Sequence, residues 1–170
     1  MALKPPPAAA AIPVPTAGPD KLAGTAVGDL LDQLAEFHND PLGFVQWAFP
    51  WGEPGTMLEG MTGPEDWQRD QMLRIRDKLT EGGEDGAVIE EDVSAGHGVG
   101  KSAEVSWMIL WAIATSADTR GVVTANTDSQ LRTKTWAELG KWYQLFIAKK
   151  LFKLTATAIY IADDPDREKT

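Results

Sequence analysis

Apolar side chains first recur at helical spacing at Leu30, Leu31, Leu34 and Phe37, and the run stops at Asn39-Asp40-Pro41, where proline cannot continue a helix. Asp40 is placed to cap a second, short helix whose apolar surface is Phe44, Val45, Trp47, Ala48 and Phe49. Pro50-Trp51-Gly52-Glu53-Pro54-Gly55-Thr56 is turn-forming throughout, a connector that Trp51 can pack over the domain. Thr62-Gly63-Pro64-Glu65 resembles a capping box with Pro64 in the first helical turn. The helix it opens carries Gln68, Met72, Ile75 and Leu79 on one face, with Trp67 as a core anchor.

Beyond the charged, glycine-rich turn at 81–86 the pattern shifts. Val88-Ile89-Glu90-Glu91-Asp92-Val93 is β-prone with apolar ends, although its middle is unusually acidic for a strand. Residues 105–114, Val-Ser-Trp-Met-Ile-Leu-Trp-Ala-Ile-Ala, suit a helix buried on most of its surface. Gly121-Val122-Val123-Thr124-Ala125-Asn126 reads as a second core strand, and Asn126-Thr127-Asp128-Ser129 can cap the long helix after it. Leu131, Thr135, Leu139, Trp142 and Phe146 trace the apolar stripe of that helix, broadened by Trp136 and Tyr143. Residues 151–161 are β-rich and partly alternating. Helices, then strand, helix, strand, helix, strand is the order of an α/β fold, with a parallel sheet, helices on both faces and an N-terminal helical extension. The expected division is a disordered Pro/Ala-rich tail over 1–20, helices over 21–60 and the α/β domain over 61–170.

Composition narrows the function classes. The 170 residues carry a net charge of −9, which argues against broad non-specific nucleic-acid binding but not against a motor that grips DNA transiently. No cysteine is present, which excludes disulfides and thiolate metal sites. The longest apolar run, 107–114, is far shorter than the ~20 residues that span a bilayer, and the N-terminus lacks the pattern of a secretory signal. No membrane association and a cytoplasmic location are therefore expected.

The densest chemistry lies at 95–102. Ala95-Gly96-His97-Gly98-Val99-Gly100-Lys101-Ser102 fits a Walker A phosphate-binding loop with alanine for the first glycine. Small residues let successive N–H groups curve around a polyphosphate, Lys101 reaches the β/γ-phosphates, and the Ser102 hydroxyl can ligate Mg²⁺. The helix behind the loop turns its positive end toward the same anion. The bland alternative is a flexible glycine loop ahead of Lys-Ser. Gln68, 25 to 35 residues earlier, is either a surface residue or a side chain whose amide reads an adenine edge by donating and accepting together.

With that order laid out, the chain resembles the ATPase half of a tailed-phage large terminase, the motor that packages viral DNA. The resemblance rests on Asp40-Pro41-Leu42-Gly43-Phe44-Val45, on residues 49–56, on Trp67-Gln68, on 94–102 and on 123–136, in series over about residues 28 to 160. It implies ATP and Mg²⁺ as cofactors, with Gln68 reading adenine and Gly100, Lys101 and Ser102 holding the triphosphate and metal. In the intact motor it implies double-stranded DNA, a portal protein and a small terminase subunit as partners, in the host cytoplasm. The segment 124–130 would lie where such motors place a nucleic-acid-contacting or coupling motif; for Asn126, Gln130 and Arg132, helix capping and solvation compete with that role. Terminases hydrolyse ATP with a later apolar strand ending in Asp-Glu, and no such pair occurs here. The nearest imitation is Ile159-Tyr160-Ile161-Ala162-Asp163-Asp164, where the second acid is shorter and Pro165 follows at once. The expectation is a truncated ATPase domain without the acid pair or the nuclease domain. Two alternatives stay open: a complete small helicase-like NTPase using Asp163 as its catalytic acid, or a non-catalytic interaction module with a vestigial nucleotide site.

Overall fold

Helix α1 (Val27–Glu36) buries Leu30 and Leu34 where the spacing places them. Asp40 caps α2 (Pro41–Ala48), its carboxylate accepting the Gly43 N–H at 3.0 Å. A side chain at Gly43 would run into that carboxylate, so the cap itself requires glycine. Helix α3 (Asp66–Glu81) begins two residues after Pro64, which therefore precedes the helix instead of lying in its first turn. Gln68, Gln71 and Met72 are buried, and Ile75 and Leu79 are half-buried on the same side. Trp67 is half-buried and stands outside the core. Next come α4 (Lys101–Thr115), α5 (Asp128–Gln130), a π-helical stretch (Leu131–Trp136) and α6 (Ala137–Leu145). A 3₁₀ turn at Lys149–Leu151 leads to β1 (Phe152–Leu154), and β2 (Ile159–Ile161) closes the order. This computed structural model describes residues 27–82, 88–94, 96 and 98–162; the expected tail at 1–20, and Ala95, His97, Asp163 and Asp164, lie outside the described residues.

The α/β reading with a parallel sheet is wrong. The described residues are mostly helical, and their one sheet is an antiparallel pair with Phe152 opposite Ile161, Lys153 opposite Tyr160 and Leu154 opposite Ile159. Thr155-Ala156-Thr157-Ala158 is long enough to reverse the chain, as the Thr155 N–H to Ala158 carbonyl bond of 2.8 Å shows, whereas a parallel neighbour needs a crossover of a dozen residues or more. The two segments read as core strands, 88–93 and 121–126, form no ladder; Val88 is 86% and Val122 90% exposed. In the first, three consecutive acids oppose burial, and the chain is held through side chains: Lys78 Nζ bonds Glu91 at 2.6 Å and the Glu90 carbonyl at 3.1 Å. Helix α4 is also less covered than its composition suggests. Glu104, Ser106, Trp107, Leu110 and Thr115 are buried, while Val105 is exposed and Ile109 and Ile113 are half-exposed.

The core sits where α2, α4 and α6 meet. Phe44, Phe49, Phe146, Leu110 and Leu139 are essentially inaccessible, each contributing about 1.5–3 kcal/mol by leaving water. Trp107 lies edge-on to Trp142 with centroids 4.9 Å apart, and Trp51 closes the group at 5.8 and 5.9 Å from the other two. The Trp51 indole donates to the Val45 carbonyl at 2.8 Å, so the 50–56 connector is packed over the core as expected. Bonds between distant segments fix the helices: Trp111 Nε1 donates to the Phe37 carbonyl at 2.8 Å and the Ile147 N–H to the Ala48 carbonyl at 3.0 Å. The π-helical stretch changes the period of the last long helix. After it Leu139, Trp142 and Phe146 are buried on one stripe, while Leu131 and Thr135 remain half-exposed. Among the described residues no helix is long and apolar enough to cross a membrane.

Candidate functional site

The loop at 94–102 ends in two left-handed glycines, Gly98 with φ +79° and Gly100 with φ +88°. Residues with a Cβ avoid this region, so the glycines let the chain turn sharply into α4. Gly100 is the N-cap of α4 and provides no side-chain cap. The N–H groups of Ser102 and Ala103 have no acceptor among the described residues, and such groups with the helix dipole behind them suit an anion. Lys101 folds back across the loop, its ammonium donating to the Gly96 carbonyl at 2.5 Å. A phosphate oxygen is a stronger acceptor than that neutral carbonyl, so the same ammonium can move from the loop to an anion. Ser102 is exposed, and its carbonyl accepts the Ser106 hydroxyl at 2.8 Å. Val99 is 38% exposed, and Gly96 and Gly98 are exposed.

Gln68 occupies a different position from the one its proposed chemistry requires. It is 2% exposed, and both ends of its amide are engaged by backbone: Nε2 donates to the Gly100 carbonyl at 3.1 Å, and Oε1 accepts the Glu65 N–H at 2.9 Å. The structure thus brings Gln68 to Gly100 without exposing its amide edge. Ala95, His97 and Asp163 complete the expected set but lie outside the described residues.

Sequence reasoning missed Glu104. It lies in the first turn of α4 and is 3% exposed, and its Oε1 has no hydrogen-bond partner. Burial pushes its carboxyl up to about 7, against a smaller opposing pull from Arg74. Its place between Ala103 and Val105 in an apolar stretch was the available signal. Glu91 moves the other way: its hydrogen bond with Lys78 lowers its pKa, with burial opposing and Arg74 at 3.7 Å assisting. No cluster of three or more His, Asp or Glu suited to a metal occurs among the described residues. Ser102 is the residue there that could ligate Mg²⁺ beside a bound triphosphate.

A groove of about 790 Å³ lies elsewhere, between Val105, Ile109, Ile113, Val122, Leu131 and Trp136. Neither Gln68 nor any residue of 96–102 lines it, so it is not the phosphate site. Comparison with family models, with curated proteins and with solved structures gives no match.

Proposed function

We propose that residues 94–102 and the start of α4 bind the triphosphate of ATP with Mg²⁺. In this reading the chain is the ATP-binding portion of a DNA-packaging motor of the large-terminase kind, which couples ATP binding and hydrolysis to translocation of double-stranded DNA. A portal protein and a small terminase subunit are its partners there. The observation that carries the reading is the Lys101 ammonium held inside its own glycine loop, 2.5 Å from the Gly96 carbonyl, at the uncapped head of a 15-residue helix. That arrangement places one cation and the N–H groups of Ser102 and Ala103 together at the head of the helix. An anion there meets charge, helix dipole and backbone donors together. Ser102, second in the helix, supplies the hydroxyl for the metal. The binding proposal rests on this local geometry and does not need a parallel sheet; the motor assignment rests on the serial resemblance of residues 28 to 160.

The test is a calorimetric titration of the full chain with Mg·ATP, repeated with Lys101→Ala. Loss of an ammonium–phosphate contact worth about 1.5–3 kcal/mol weakens binding at least tenfold. An affinity that the substitution leaves unchanged removes Lys101, and with it the loop, from the assignment.

A further inference from the structure

Helix α3 touches the phosphate loop at both of its ends. Upstream, Lys78 and Arg74 hold Glu91, at 2.6 and 3.7 Å, and Lys78 also bonds the Glu90 carbonyl. Downstream, ten residues earlier in the same helix, Gln68 bonds the Gly100 carbonyl. The two anchorages are unequal. Lys78 and Arg74 are roughly half exposed, and exposed pairs of this kind contribute little. The Gln68 bond is partly buried, starts from a side chain that is 2% exposed, and joins residues 32 apart in sequence. It also fixes a residue that only glycine suits: a Cβ on Gly100 would stand 2.8 Å from Gln68 Nε2. The same amide uses its other end to accept the Glu65 N–H, closing the first turn of α3.

We infer that Gln68 is a positioning residue: it locks the Gly100 turn, and so the donors at the head of α4, in the arrangement that accepts a polyphosphate, and it does not read the base. The inference deepens the nucleotide-binding reading and rests on it for its ligand, though not for its geometry. Gln68 is 2% exposed, with Nε2 on Gly100 and Oε1 on Glu65, so a base could reach the amide only if the side chain left its buried position. A locked turn instead favours every ligand that carries the same phosphates, whatever base is attached. Release of Gln68 frees the left-handed Gly100 to leave its conformation, and the N–H groups of Ser102 and Ala103 lose their common aim.

Gln68→Glu separates the two ends of the amide. Glutamate keeps the oxygen that accepts the Glu65 N–H and has no donor for the Gly100 carbonyl. The full chain and this variant are titrated with Mg·ATP, Mg·GTP and inorganic tripolyphosphate, which has no base. Positioning predicts that all three weaken by one common factor, about five- to tenfold. Weakening of ATP alone, with tripolyphosphate unmoved, overturns the inference in favour of base reading; no change in any overturns it outright. Hydrogen exchange at residues 98–103 without ligand is measured beside the titrations, and faster exchange in the variant is the expected result. If the parent chain binds none of the three ligands, the nucleotide reading fails, while the exchange comparison still decides whether Gln68 locks the turn. Gln68→Met, similar in length and uncharged, removes both ends of the amide and supplies the three-ligand comparison should the buried carboxylate prevent folding.

Discussion

Replacing Glu104 by glutamine removes a titratable group from the first turn of α4 while keeping its shape. The unfolded chain releases this proton at the ordinary glutamate value of 4.5, and the folded chain holds it up to about 7. Between these values the folded state binds more protons than the unfolded one, so the contribution of Glu104 to stability falls as pH rises through the interval and is flat beyond it. At 1.36 kcal/mol per pH unit the full shift corresponds to about 3 kcal/mol of destabilisation above pH 7, and residual solvation reduces this to roughly 2. Glu104→Gln is therefore expected to stabilise the chain by about 2 kcal/mol more at pH 8 than at pH 5, or about 4–8 °C in Tm for a chain of 170 residues. Urea unfolding of both proteins across pH 5–8.5 measures this directly, and the difference between them cancels every other titrating group. A difference that stays constant over that range refutes the burial argument. A difference that grows toward low pH means that an unseen donor pairs the ionised carboxylate.

Two further substitutions probe the loop glycines and the aromatic core. Gly100→Ala should cost stability twice over, through a left-handed φ of +88° (about 1–2 kcal/mol) and through the displaced Gln68 amide, whereas Gly98→Ala, with open space around it, incurs only the backbone cost; chemical denaturation distinguishes them. Trp107→Ala, at the junction of Phe49, Trp51 and Trp142, should destabilise by about 3–5 kcal/mol in the same assay, and a loss below 1 kcal/mol would show that the aromatic cluster collapses around the gap.

The features legible in sequence were those set by neighbours a few residues away. Asp40 had to cap because proline and an apolar run followed it, and Leu30, Leu34 and Met72 were buried as their spacing implied. Where tertiary partners decide, the pattern was silent or misleading. Val122-Val123-Thr124 has high β propensity, yet among the described residues it joins no ladder, because propensity alone does not dock a strand on an edge. The polar ends of Gln68 were read as free for a ligand because nothing local shows that Gly100, 32 residues on, occupies one of them. The π-helical turn at Leu131–Trp136 leaves no mark in a stripe that reads equally well as a continuous α-helix.

The bond from Trp111 to the Phe37 carbonyl spans 74 residues and has a consequence for synthesis. A ribosome adding about 5–20 residues per second takes about 4–15 s to bridge that interval. For most of it Phe44, Val45, Trp47 and Phe49 have been made while α4 and α6, which finally cover them, are not yet complete. The nascent chain thus displays its most aromatic surface well before it can fold it away, making α1 and α2 the segment on which a holding chaperone would act.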